Sequence, residues 1–288
     1  MKRCLFTLLI LSVFKTYAQV PNTLNSEPIK TLYGTIEFTT PFYNLEERWA
    51  VLPKNAQINK YLFGMVYVDN TAGYTFRLEG FFQVDEQGHV FRDSTDYVKN
   101  NNVTVARVGA GTKLLGAIPA AMLPILKVKP VPEWLAIYHP VTLNREATAY
   151  KIAHGRFLNG LREPAKALEF LEPVYKTDPH AAGLEYELSY AYNILGRTAD
   201  AITILKGAIA ATPDNGSLYA ELGYAYVQNK DYTTAVDVFL KGLDLAKKKN
   251  DDFFRNTMTT NLTLAYTELK QYDKAVGIVN QFLADSPN

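Results

Sequence analysis

Cysteine is nearly absent: of 288 residues only Cys4 carries a thiol. A disulfide framework and a cysteine-based metal site are therefore excluded, and the fold rests on packing. No His-Glu-x-x-His occurs, and none of His89, His139, His154 and His180 has a His or Cys partner at ligand spacing, so neither metal nor cofactor is expected. The nucleophile turn Gly-x-Ser-x-Gly is also missing. Excess charge of one sign is lacking too. Residues 20–145 carry 12 basic against 11 acidic side chains and residues 146–288 carry 15 against 18, too even to steer toward nucleic acid. Long hydrophobic runs are absent as well, since none reaches the roughly 20 residues of a membrane-spanning helix.

Two partial motifs dissolve on inspection. Gly109-x-Gly111 follows a candidate strand, but the dinucleotide fingerprint needs glycine where Leu114 stands, and Thr112-Lys113 has the wrong order for a phosphate loop. The stretch reads instead as a turn leading into a buried apolar strap, "LLGAIPAAMLPIL", 114–126. The acidic pairs Glu46-Glu47 and Asp85-Glu86 are sequence neighbours whose side chains diverge, which suits solvation better than acid–base work.

What is present begins with "MKRCLFTLLILSVFKTYAQV": basic Lys2 and Arg3, an apolar run from Leu5 to Phe14, and small Ala18. This is the pattern of a secretory leader over residues 1–18, and it predicts an exported chain, periplasmic or secreted and possibly envelope-associated. After it, "YTFRLEGFFQV", 74–84, alternates, which predicts a half-buried strand with Tyr74, Phe76, Leu78, Phe82 and Val84 on one face. "YLFGMVYV", 61–68, is apolar on both faces, as a central strand would be. "TLYGTIEF" and "NVTVARV" add two strands, and "DNTAG" and "DEQG" supply turn chemistry. A mainly antiparallel β domain is expected over 19–145.

The second half repeats. Ala167, Ala201, Ala235 and Ala275 are spaced by 34, 34 and 40 residues. Around them recur Gly155, Ser189 and Gly223 on the preceding helix, Tyr192 and Tyr226 three residues after the last two, Tyr266 in the fourth unit, and Pro179, Pro213 and Pro287 after the second helix. Small residues on both sides let paired helices approach closely, and the prolines end the second helix. These marks resemble the tetratricopeptide repeat. The resemblance implies a solenoid of about four helix pairs over 146–288, giving α and β structure in separate domains. The six extra residues after Ala235, around "KKKNDD", predict a lengthened helix or a longer loop. The final helix, Tyr272–Ala284, is expected to expose an apolar face open to self-association.

The resemblance further implies a concave face lined by the first helix of each unit. By position it includes Arg156 and Asn159, then Tyr186, Tyr190 and Asn193, then Tyr224 and Gln228. Tyr190 and Tyr224 are 34 apart and occupy equivalent places; they either present a binding surface or pack helix to helix. Ile152 stands where the first lysine of a carboxylate clamp would be, so a peptide C-terminus is not the leading ligand. The expected function is a non-catalytic scaffold that binds a protein or peptide, with no nucleic acid and no transmembrane segment in the mature chain. Two alternatives are small-ligand binding, to sugar or lipid, in the β domain and an unrecognised hydrolase there, which would need His89 and His139 or several carboxylates to converge.

Overall fold

A computed structural model describes residues 27–54, 59–69, 72–93, 104–109, 114–138 and 147–285, and the chain divides into two compact units, 1–143 and 144–288. The leader, the glycine turn at 110–113 and the joining segment 139–146 lie outside the described residues.

In the first unit β1 (Ile29–Thr31) and β2 (Gly34–Ile36) form a hairpin. The other strands are β3 (Thr40–Pro41), β4 (Arg48–Val51), β5 (Tyr61–Asp69), β6 (Gly73–Val84), β7 (Val90–Arg92), β8 (Thr104–Arg107) and β9 (Leu114–Ala117). They make one antiparallel sheet in the order β3-β9-β4-β5-β6-β7, with β8 beside the first half of β6. Turn chemistry acts where the sequence placed it. The Asp85 carboxylate accepts the N–H groups of Gln87 and His89 at 3.0 and 2.8 Å, and Gly88 takes a φ of 87°. β5 lies between β4 and β6, and its side chains from Leu62 to Val68 are buried, as a strand covered on both faces must be.

β6 departs from simple alternation. Phe63 faces Gly80 but Gly64 faces Leu78, so Glu79 is an extra residue and the strand bulges there. The bulge flips the phase. Phe82 and Val84 join a core with Trp49, Val51, Phe63 and Met65, whereas Tyr74, Phe76 and Leu78 point to the opposite face, where Phe42 meets Tyr74 edge-on at 5.1 Å. The expectation of one shared face for those five residues is therefore corrected. Gly64 permits the bulge, because a Cβ there would lie 2.1 Å from the Arg77 carbonyl oxygen.

The strap after β9 buries Met122, Leu123 and Leu126 in that core. Two polar ties hold it: Trp49 Nε1 donates to the Lys129 carbonyl at 2.9 Å, and the Arg92 guanidinium donates to the carbonyl of Leu126. Burying the strap thus also satisfies the indole and guanidinium donors beside it.

In the second unit eight described helices follow one another: α1 (Thr148–Gly160), α2 (Pro164–Thr177), α3 (Leu184–Ile194), α4 (Thr198–Ala211), α5 (Gly216–Gln228), α6 (Tyr232–Lys248), α7 (Asp252–Glu268) and α8 (Tyr272–Asp285). The four repeat alanines are buried. Gly155 and Gly223 bring first and second helices together: a Cβ at Gly223 would lie 2.2 Å from the Phe239 ring, and one at Gly155 2.4 Å from Leu171. Each first helix ends in the same left-handed turn, at Arg162, Gly196, Lys230 and Lys270. The next N–H reaches back five residues to a carbonyl, as from Glu163 to Leu158 at 2.9 Å and from Arg197 to Tyr192 at 2.8 Å.

The extra residues of the last unit lengthen helices rather than a loop. α6 and α7 have 17 residues each, against 14 in α4 and 13 in α5. Lys247 and Lys248 sit in the last turn of α6, where cations favour the helix dipole, and the Asp251 side chain caps α7 by accepting the Phe254 N–H. On α8, Tyr272, Val276 and Leu283 form an exposed stripe.

Candidate functional site

The geometry of the repeats defines an inside and an outside. First helices of neighbouring units touch, α1 with α3, α3 with α5 and α5 with α7, whereas second helices make no comparable contact with one another among the described residues. A stack whose first helices are closer together curves toward them, so the first helices line the inner face.

One column of residues runs along that face at the repeat interval: Arg156, Tyr190, Tyr224 and Leu264. Arg156 is exposed, Tyr190 half-buried, Tyr224 38% exposed and Leu264 45% exposed. Tyr186 lies one turn before Tyr190 and is half-buried. Its hydroxyl pKa is pushed up to about 12, first by burial and then by the nearby charges of Glu221 and Glu187. Gln228 donates from Nε2 to the Asn193 carbonyl at 3.0 Å.

Asn159 and Asn193 sit otherwise than an open groove would have them. They are 3% and 1% exposed, and their amides are committed between units. Asn159 Nδ2 donates to the carbonyl and the carboxylate of Glu187, both at 2.9 Å. Asn193 Nδ2 makes the same pair of bonds to Glu221, at 3.2 and 3.0 Å. These two rungs tie α1 to α3 and α3 to α5. At the third step Val227 and Asn261 take the equivalent positions. Burial raises the pKa of both carboxyl groups. Asn159 and Arg156 pull Glu187 partly back, while for Glu221 the Asn193 bond is opposed by the charge of Glu187.

The residues weighed for chemistry are placed as packing or surface groups. His154 is buried between the rings of Tyr150 and Phe170, with centroids 4.0 and 5.3 Å away. His180 is exposed and pairs with Glu185 at 2.8 Å, and His89 pairs with Asp85 at 2.9 Å. His139 lies outside the described residues. Among the described residues no three His, Cys, Asp or Glu side chains form a group able to hold a metal, and no helix is long and apolar enough to cross a membrane. A second concavity of about 540 Å³ lies under the turn Thr212–Ser217, against Leu245, Phe254, Lys249, Asp214 and Asp251. Its mixed charges select no single ligand chemistry.

Sequence reasoning missed Glu187 and Glu221. The signal was available: both glutamates are 34 apart, like the asparagines, and each follows its asparagine by 28.

Comparison with known families agrees with this geometry. Residues 160–222 and 195–250 match the tetratricopeptide repeat family, and the C-terminal half of the chain is built of tetratricopeptide repeats. Similar solved structures include MamA, from its residue 41 onward, of Desulfovibrio magneticus RS-1, at 17% identity over 52% of this chain and 82% of that one, TM-score 0.43. Another is a thermophilic tetratricopeptide-repeat protein of Thermus thermophilus, at 20% identity over 50% and 77% of the two chains, TM-score 0.43. No curated protein matches the chain.

Proposed function

We propose, taking the tetratricopeptide-repeat solenoid of the C-terminal half as the premise, that the chain is an exported, non-catalytic scaffold that binds a protein or peptide along its inner face. The observation that carries this reading is the column Arg156, Tyr190, Tyr224 and Leu264. It leaves aromatic and aliphatic side chains open on the side where first helices meet. Tyrosine offers broad contact area with a polar tip at low entropic cost. Tyr186 and Gln228 flank the column, and Asn159 and Asn193 hold its spacing. The β unit supplies a second contact surface.

The test is cross-linked capture from the cell envelope, comparing the parent chain with a Tyr190→Ala/Tyr224→Ala version of unchanged helical signal. One partner held by the parent and lost by the variant supports the reading; the same partner held by both contradicts it. A second, differently tagged copy in the same experiment reads self-association through the stripe on α8.

A further inference from the structure

Each of the two rungs between the units lacks one hydrogen. Asn159 Nδ2 commits both its hydrogens to Glu187, one to the backbone carbonyl and one to the carboxylate, and Asn193 Nδ2 does the same with Glu221. Both neighbours are acceptors, and that fixes the amide: turned over, it would set its oxygen against two oxygens. The oxygen is left over instead. Oδ1 of Asn159 and Oδ1 of Asn193 are buried without a hydrogen-bond partner, the same atom at successive steps. A buried carbonyl oxygen without a donor is costly.

The missing hydrogen has a source within each rung. An ionised carboxylate only accepts, whereas a protonated carboxyl group also carries an O–H. A carboxylic acid and a primary amide join in a ring, with N–H on the carboxyl oxygen and O–H on the amide oxygen. The first of those bonds is already made at both rungs. Burial leans the same way, since it favours the neutral form of both glutamates.

The surrounding charges leave this balance in place. From α1, Arg156 favours the Glu187 carboxylate, and Glu187 in turn disfavours that of Glu221. Tyr186, its hydroxyl pushed up to about 12, stays neutral beside both. The other helices packed against α3 and α5 turn charges elsewhere: Glu172 of α2 and Asp200 of α4 to Arg197, Lys248 of α6 to Asp244, and Arg255 of α7 to Asp252.

We propose that the two rungs are proton-binding latches, in which Glu187 and Glu221 each take up a proton and donate the new O–H to Oδ1 of Asn159 and Asn193. The first three units then fasten to one another as the pH falls toward the glutamic acid range and loosen above it. The sign follows from linkage: the folded chain holds these protons more tightly than the unfolded chain. The latches are therefore closed below the unfolded carboxyl range and open as pH rises through the raised values. The step between the third and fourth units has Val227 and Asn261 in these places, so it has no such proton and serves as the internal control. The latches concern the hold between units and stand apart from what the inner face binds.

The test is hydrogen exchange of the full chain, from neutral pH to just above the ordinary glutamic acid range, with rates corrected for intrinsic pH dependence. As the pH falls, α1, α3 and α5 are expected to gain protection about tenfold relative to α7 and α8. Glu187→Gln/Glu221→Gln puts a second amide in each rung, with an acceptor for Nδ2 and an N–H for Oδ1. It should show the acid-level protection at every pH. Carbon-13 NMR of the glutamate carboxyl carbons in the parent chain reads the protons directly, with each signal assigned by its loss in the single Gln variant. Both should titrate above the ordinary glutamate range. Protection that ignores pH, that changes equally in α7 and α8, or that changes as much in the Gln variant overturns the proposal. So does titration of either carboxyl at or below the ordinary range, a reading that needs no folded double variant.

Discussion

The two units hold themselves together over different distances along the chain. In the β unit, some of the neighbours that close the sheet are far apart in sequence: Thr40 faces Leu115 across β3 and β9, and the Trp49 indole ties down the carbonyl of Lys129. In the repeats the recurring ties span less than one unit, 28 residues from Asn159 to Glu187 and again from Asn193 to Glu221. Damage in the sheet should therefore spread through its unit, whereas damage in the repeats should stay near its own step. The repeats also write one arrangement several times, with small differences between steps, such as Val227 and Asn261 where earlier steps have Asn193 and Glu221.

The comparison can be broken most forcefully at two glycines. Gly64→Val would drive a side chain into the Arg77 backbone, where nothing flexible can yield. A loss of more than about 3 kcal/mol is expected, with the β unit melting as a whole while the helical signal persists. Gly223→Ala meets the buried Phe239 ring instead. It should cost about 2 kcal/mol and raise hydrogen exchange chiefly in α5 and α6. Equal spreading in both cases would erase the contrast.

A smaller effect sharpens the comparison within the repeats. Burial raises the Glu187 and Glu221 pKa values above those of the unfolded chain, so the folded state holds their protons more tightly. Their contribution favours folding below the unfolded carboxyl range and fades as pH rises through the raised values. Glu221→Gln should therefore stabilise the repeats at neutral pH by about 1 kcal/mol, and the gain should shrink as the pH falls into the carboxyl range. Thermal melts of parent and variant across that range check the sign. A gain that grows in acid would show that Glu221 is stabilised as a carboxylate.

Most of the repeat half was legible because its spacing is regular: alanines, small residues and tyrosines 34 apart mark the pairs before any contact is known. The lengthening in the last unit was legible as six added residues, but not as helix, since Asp251 as a cap and Lys247 and Lys248 at a C-terminus show their roles only with the helix ends in place. In the sheet, alternation marked the strands and failed at Glu79, because one inserted residue reverses every side chain beyond it. At the inner face, Tyr190 and Tyr224 were legible as equivalent positions. Asn159 and Asn193 were read on the same face, although their amides turn inward to glutamates on the next unit. A residue's place on a helix does not say which way a short polar side chain bonds.

The central claim, that the inner face is the working surface, is tested most directly by placing a photo-crosslinking benzoylphenylalanine at Tyr224 or at Leu240. The two positions are nearly equally exposed, at 38% and 40%, but one lies on a first helix and the other on a second. A partner adduct from position 224 and none from position 240 is the expected result. Adducts of equal yield from both positions, or from position 240 alone, would contradict the account.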